Sequence, residues 1–282
     1  MSAADARRLA RERWASAAPG WARRAEAMRR ATMPVAVWLV EAIRPQPGHT
    51  VLELAAGMGD TGFLAAELVQ PGGTLICSDF VPEMLTVAQE RAAAQGVRNV
   101  RFRQIDAETA IDQPAASVDG VLCRWGYMLM ADPQTALRET RRVLKRGARV
   151  ALAVWAEGED NPWSRLPTAE AVARGLTAWP DPGAPGQFAW AAEGRVAEEL
   201  ASAGFADVEV EDLRFAYRYA SFDEWWAVTC DMSPSLRDLL AGLGSGDAAA
   251  FRDGLRERAA RFRADGGALE FPARTWVAAA TA

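Results

Sequence analysis

The sequence predicts an α/β fold, a mostly parallel sheet with helices on both faces. Three observations lead there. Short apolar runs alternate with amphipathic stretches from about residue 50 to 155. The first run ends in a glycine-rich turn, Gly57-Met58-Gly59-Asp60-Thr61-Gly62, that opens a helix. The second run is followed at once by an acid, Asp79.

The elements follow in order. Residues 3–44 read as helices broken at Pro19-Gly20 and Pro34. Trp14, Trp21, Met28, Met33 and Trp38 form an apolar stripe there. For Trp14 and Trp21, packing on the core and covering a ligand mouth are equally consistent with that stripe. Residues 50–55 are strand one and 61–69 the first helix, closed by Gln70-Pro71-Gly72-Gly73. Strand two is 74–78. A helix over 82–95 has Pro82 in its first turn and Gly96 past its end. Strands follow at 100–104 and 118–123, then a loop at 124–132, a helix at 133–144, a turn at Lys145-Arg146-Gly147 and a fifth strand at 148–155. Beyond Trp155 the texture changes. Residues 157–167 read as a loop and 180–186 are rich in Pro and Gly. A helix at 196–203 ends at Gly204, and 207–213 is strand six. Residues 221–262 are helical and rich in bulky apolar side chains, and 269–280 is the last strand. The domain reading is an N-terminal helical cap (1–45) and one α/β domain (46–282).

Composition narrows the function. At 282 residues and 50% hydrophobic, the chain can bury a large core. A net charge of −5 implies no bulk attraction to nucleic acid. No apolar run is long enough to span a membrane, and the start lacks a signal-peptide core. Cys77, Cys123 and Cys230 show no C-x-x-C spacing, so a reducing, cytoplasmic setting is expected. His49 is the only histidine and Lys145 the only lysine. No lysine follows the glycine turn, which excludes a P-loop, and no His/Cys cluster suits a metal. His49 precedes strand one, at the end of the sheet opposite any ligand crevice, and reads as a surface residue.

The spacing Gly57, Gly59, Gly62 fits G-x-G-x-x-G, a turn that bares amide N–H groups to a nucleotide-like ligand. Glu53 sits just before it. A carboxylate there suits a cationic ligand and repels a pyrophosphate. Asp79 is placed to accept hydrogen bonds from ribose hydroxyls, and equally to cap the helix that follows. Phe80 and Met84 pack against a base or in the core. Asp106 and Arg124 each have a structural alternative, a strand-end turn and a salt bridge.

The combination Glu53-x3-Gly57-x-Gly59, Asp79 with Pro82-x-Met84-Leu85, Asp106-Ala107 and Val143-Leu144-Lys145-Arg146-Gly147-Ala148 resembles the class I S-adenosylmethionine (SAM)-dependent methyltransferases. It is most similar to small-molecule enzymes related to the ubiquinone/menaquinone C-methylases. The likeness covers roughly residues 48–156. Ala55-Ala56 stands where the family has Gly-Cys, and Arg146 where it has Pro. The resemblance implies a Rossmann-like seven-stranded sheet with an antiparallel last strand, here 269–280. Residues 220–265 then form an inserted helical lid. It implies SAM as cofactor, held by Glu53, Ala55, Gly57, Gly59, Asp79, Phe80, Met84, Asp106, Ala107, Arg124, Trp125 and Trp21. In this reading Asp106-Ala107 meets adenine, the Arg124 carbonyl takes the SAM ammonium, and Trp125 walls the methyl group.

The implied partner is a small, largely apolar or aromatic acceptor, with O-, C- and N-acceptors all open, as is a homodimer. Neither nucleic acid nor membrane is an expected partner, and no metal is expected. Trp163, Trp190, Trp225 and Trp226 are candidates for a dry pocket or for core. No histidine base is available. Tyr127 and Asp160 are the catalytic candidates, with Asp60 and Glu157 also in reach. Two other readings remain: a SAM-binding protein of this fold that transfers no methyl group, and an NAD-dependent oxidoreductase.

Overall fold

A computed structural model describes residues 3–282. Seven strands form one sheet in the order β3-β2-β1-β4-β5-β7-β6. They are β1 (Thr50–Glu53), β2 (Thr74–Asp79), β3 (Val100–Gln104), β4 (Val118–Arg124), β5 (Leu144–Trp155), β6 (Ala206–Tyr219) and β7 (Leu269–Thr281). The first five pair in parallel, and β7 runs antiparallel between β5 and β6. The last strand is therefore the antiparallel one, as the resemblance implies. Strand order reverses between β1 and β4, and a crevice opens at such a switch point beyond the carboxyl ends of the strands.

Helices cover both faces. On one, Val35 and Leu39 of α1 (Ala3–Ala42), Ile43 just past its end and Phe63 of α2 (Asp60–Leu68) pack against Val51, Leu122, Ala151 and Val277. Ala88 and Ala92 of α3 (Pro82–Gln95) join that layer. On the other, Leu137 of α4 (Pro133–Val143), Leu166 of α5 (Pro162–Ala173) and Leu200 of α6 (Arg195–Ser202) meet Val121, Val150 and Leu152. Between β6 and β7 lie α7 (Phe222–Met232), α8 (Pro234–Ala241) and α9 (Ser245–Ala259). Ser221 and Ser233 cap α7 and α8, each hydroxyl accepting from an amide three residues on. No helix among the described residues is long and apolar enough to cross a membrane.

Several expectations change. Helix α1 runs unbroken through Pro19 and Pro34. Each proline forfeits one backbone hydrogen bond, but Ala18, Ala25, Met28, Val35 and Leu39 are buried along its length, and that packing holds the helix together. Residues 162–167 of the expected loop belong to α5: Pro162 occupies a first-turn position where no amide is needed, and Pro167 lies inside the helix, where Leu166, Pro167 and Ala171 are buried. Strand β5 begins at Leu144, and the expected turn at 145–147 is an irregularity in its ladder, with Gly147 at φ 78°. Strand β6 continues to Tyr219 because β7 pairs with it as far as Tyr219–Leu269. Strand β1 stops at Glu53, since Ala55 already turns at φ 49°.

The two outer helical layers meet where Gly20 of α1 lies against the C-terminal turn of α7. A Cβ at Gly20 would stand 1.8 Å from the Asp231 carbonyl oxygen. Arg23 and Arg24 both pair with the Asp231 carboxylate, and Arg237 Nη2 donates to the Ser16 carbonyl at 3.1 Å. Gly20→Val must push the helices apart and is expected to cost about 1–3 kcal/mol. A thermal melt several degrees below wild type checks this; an unchanged melt would show that the contact yields freely.

At the other end of the sheet, where the strands begin, Lys145 Nζ lies 2.6 Å from Asp119 Oδ1. Asp119 Oδ2 accepts from the Thr50 amide at 2.9 Å. His49 is here too, its Nδ1 accepting from the Gln46 amide at 3.2 Å.

Candidate cofactor site

The three glycines of the turn do different work. Gly57 has φ 54°, and a Cβ there would meet open space, so the turn faces the crevice at this point. Gly59 has φ 80° and lies on the Phe63 ring, 2.4 Å from where a Cβ would be. Gly62 is inside α2. A Cβ there would stand 2.3 Å from Glu53 Oε2, so this glycine makes room for the buried carboxyl. The turn is also tied to strand β2: the Ala56 amide donates to the Ser78 carbonyl and Ser78 Oγ to the Glu53 carbonyl.

Asp79 is 6% exposed. Its Oδ2 accepts from the Gly57 amide and its Oδ1 from the Val81 amide, both at 2.9 Å. Burial pushes its carboxyl up to about 6, against those amides, which favour the ionised form. Asp79 thus ties the glycine turn to the residue that precedes α3. The expected side-chain cap is not formed: the N-cap of α3 is Val81, and no side chain bonds the first-turn amides.

Glu53 is 2% exposed and sits under the first turn of α2 rather than in open crevice. Burial raises its carboxyl to about 8; the Arg124 charge and the Gly62 amide oppose this, and Asp60 and Asp79 add to it. Its Oε2 is buried without a hydrogen-bond partner.

Arg124 supplies the counter-charge. Its Nη1 donates to Thr32 Oγ1, and its Nη2 lies 3.8 Å from Asp60 Oδ2. The guanidinium is thus committed between α1, α2 and the end of β4, which is the structural salt bridge given as the alternative for this residue. Asp60 is bound by Arg91 as well and is 3% exposed at its side chain. It is a structural anion, not a free base.

Trp125 adopts φ 59°, an unfavourable conformation for a bulky residue. Its ring stacks on Trp155 at 4.2 Å and 11°, and its Nε1 donates to Thr275 Oγ1 at 3.0 Å. The Arg124 guanidinium lies 4.8 Å from the ring centroid. Trp163 meets Trp155 edge-on at 5.1 Å, and Phe215 lies 6.1 Å from it. A Cβ on Gly126 would stand 2.7 Å from Ala55 Cβ, so the loop after β4 packs directly on the turn after β1. Trp225 and Trp190 are core residues. Trp225 packs on Phe271 at 4.7 Å and is fully buried, and Trp190 stacks on Tyr127. Trp226 packs on Phe222 and Phe251.

The N-terminal half of α1 crosses the mouth. Trp14 and Trp21 pair at 5.8 Å and pack with Phe80 against Val81 and Met84. The Arg11 guanidinium lies 5.8 Å from the Phe80 centroid, and Arg7 Nε is 3.7 Å from Asp106 Oδ2. Trp21 Nε1 is buried with no partner. Asp106 Oδ1 accepts from the Glu108 amide, and Ala107 is buried beside it.

Two expected residues fall elsewhere. Tyr127 is 1% exposed and its hydroxyl shares a 2.6 Å hydrogen bond with Thr140, while burial drives its ionisation well above the ordinary phenol range. It cannot serve as a base from there. Asp160 Oδ2 is held by Arg274 Nη1 at 3.0 Å. Sequence reasoning missed Arg7, Thr32, Arg91 and Thr275. Trp155 was visible only as a strand end; its large aromatic character at the carboxyl end of β5 was the available signal.

Residues 45–178 match the family model for a methyltransferase domain. This segment is a methyltransferase domain. The methyltransferase domain of this chain is related to class I SAM-dependent enzymes, the ubiquinone/menaquinone C-methylases among them, and SAM is the cofactor of that family. Demethylmenaquinone methyltransferase of Thermus thermophilus is 37% identical over 102 residues, covering 36% of this chain and 45% of that protein. The chain spans less than half the length of the curated C-methylases it matches. Among solved structures, YcgJ of Bacillus subtilis superposes with TM-score 0.59 at 21% identity, over 87% of this chain and 97% of that one. The [4+2]-cyclase SpnF superposes with TM-score 0.54 at 16% identity, over 89% and 81%. The methyltransferase domain thus shares its fold with a protein named for a different reaction, and the fold alone does not fix the chemistry.

Proposed function

We propose that the protein is a SAM-dependent methyltransferase acting on a small, largely apolar or aromatic acceptor. The observation that carries this is the juxtaposition of an open glycine turn, Asp79 and the stacked Trp125–Trp155 wall at one switch point. The residues present fit SAM. Asp79 has acceptor capacity beside Gly57 for the two ribose hydroxyls. Asp106-Ala107 and Phe80 offer the adenine a carboxylate, a strand-end backbone and an aromatic edge. Met84 and Trp21 complete that apolar side. Ala55, Gly57 and Gly59 give the turn its close approach. The Arg124 carbonyl would take the ammonium, and Glu53, buried beneath the first turn of α2, would act on it only through space, when ionised. Glu53 is held neutral near pH 7 and Asp60 is paired with Arg91 and Arg124, so it is the ionised Asp79 beside Gly57 that disfavours a pyrophosphate there, and this is the reason for setting NAD aside.

Bound SAM supplies an electrophilic methyl group that passes by in-line displacement, with positive charge dispersing in the transition state. The chain's residues supply orientation and dryness. Trp125 is locked by its stack on Trp155 and its bond to Thr275, so it holds one fixed wall. Trp163 and Phe215 continue that wall and exclude water. Helix α1 and the helices 222–259 form the remaining cover, the N-terminal cap and the inserted lid. Tyr127, Asp160 and Asp60 are engaged elsewhere and Glu157 faces solvent, so the acceptor's proton would pass to solvent water, before transfer for a phenol or enol and after it for an amine. That favours an acidic phenol, an enol carbon or a neutral amine.

The test is calorimetry with SAM and with NAD, followed by transfer of labelled methyl to small aromatic acceptors. Binding of SAM with transfer supports the proposal. Binding without transfer to any acceptor favours the non-transferring reading, which the missing side-chain base also supports. Tight NAD binding without SAM binding would overturn the cofactor.

A further inference from the structure

Beyond the residues that would touch the cofactor, one side chain controls the shape of the turn from behind. We propose that Arg91 is a positioning residue that holds the glycine turn in its ligand-ready conformation by bridging the Met58 carbonyl and the Asp60 carboxylate. This rests on the SAM reading only for its consequence in binding.

Arg91 projects from the middle of α3. Its Nε donates to the Met58 carbonyl at 3.2 Å, and its Nη2 donates to Asp60 Oδ1. Met58 lies between the two left-handed glycines, and Asp60 is the first residue of α2. One planar guanidinium therefore fixes both the carbonyl inside the turn and the start of the helix that follows. The side chain is 15% exposed and Asp60 3%, so water competes little for either bond. The opposite pole of the same turn, the Gly57 amide, is held by Asp79 at the entry to α3. The turn is clamped at a donor and at an acceptor, and both clamps are rooted around one helix. Gly57 and Gly59 have high backbone freedom, so without the second clamp their φ values near 54° and 80° are two choices among many. Arg91 touches none of the residues expected to contact the acceptor, and Asp60 passes the constraint on to Arg124 beneath Trp125.

Lysine separates this role from simple charge balance. It keeps a cation for Asp60 but is a point donor that cannot span two acceptors in a fixed fork. In Arg91→Lys we expect a melting temperature close to wild type. Amide exchange at residues 57–59 of the ligand-free protein should accelerate about tenfold, and the Kd for SAM should rise about 5- to 20-fold, with a smaller change in kcat at saturating SAM. Arg91→Ala should show the same pattern more strongly, with a lower melt. Exchange within twofold of wild type in Arg91→Lys would overturn the proposal, whatever happens to Kd. Faster exchange in a protein whose wild type binds no SAM would uphold the clamp and sink the cofactor assignment alone.

Discussion

Asp79→Ala is expected to weaken SAM binding by about 1–3 kcal/mol, roughly 5- to 150-fold, measured by calorimetry at neutral pH. Two losses combine. The substitution removes the carboxylate that would accept the ribose hydroxyls, and charge-assisted bonds of that kind are the strong ones. It also strips the Gly57 and Val81 amides of their acceptor, so the turn loses one pole of its support. Asp79→Asn separates the two. It retains an acceptor oxygen for one amide but sets an NH2 group against the other, so it should fall between alanine and wild type. Wild-type affinity in Asp79→Ala with a depressed melting temperature would reduce Asp79 to a structural tie between the Gly57 and Val81 amides.

Glu53→Gln should change the pH dependence of both stability and binding. In the folded protein the Glu53 carboxyl is raised to about 8 by burial, above its ordinary value of 4.5. Its contribution to stability is intact below about pH 4.5 and is lost progressively as pH rises to about 8. Glutamine keeps the shape of the neutral acid and cannot ionise. The variant should therefore match wild type in mildly acidic buffer and be more stable near pH 9, by a few kcal/mol in order of magnitude. Binding runs the other way. A cationic ligand favours ionised Glu53 and Asp79, so wild-type affinity for SAM should tighten between about pH 6 and 8, by up to about tenfold per unit. Glu53→Gln should lose the upper part of that rise. Chemical denaturation and calorimetry across pH 5–9 test both halves. A variant that follows the wild-type curves throughout would place the titrating group elsewhere.

The fold was legible where local signals and tertiary packing agree. Helix α3 begins at Pro82 and ends before Gly96, at φ 72°, as its punctuation requires. The glycine turn, Asp79 and Asp106 are all at the carboxyl edge of the sheet because each stands at or within four residues of the end of a parallel strand, and strand ends are readable from apolar runs. Proline misled twice, at α1 and α5. Its local cost is real at Pro19, Pro34 and Pro167, but buried side chains along each helix outweigh it, and Pro162 stands in a first turn where it costs nothing. Side-chain direction was the larger gap. Glu53 turns under α2 instead of into the crevice, and the partner of the Arg124 salt bridge, Asp60, lies across on α2. Tyr127 follows the crevice loop in sequence yet points at Thr140 in the core. None of these directions is encoded in spacing. They depend on which neighbour offers a partner across the sheet. Arg91 shows the same limit, since nothing in its local sequence distinguishes it from a solvated helix arginine.

The lone lysine of the chain has a practical meaning. Lys145 is 48% exposed at its side chain and sits where the strands begin, across the sheet from the crevice. Amine-directed chemistry has one side-chain address on this molecule. A dye, a surface or a bead attached there stands the protein with its mouth outward, so tethering through that amine should leave ligand access unobstructed.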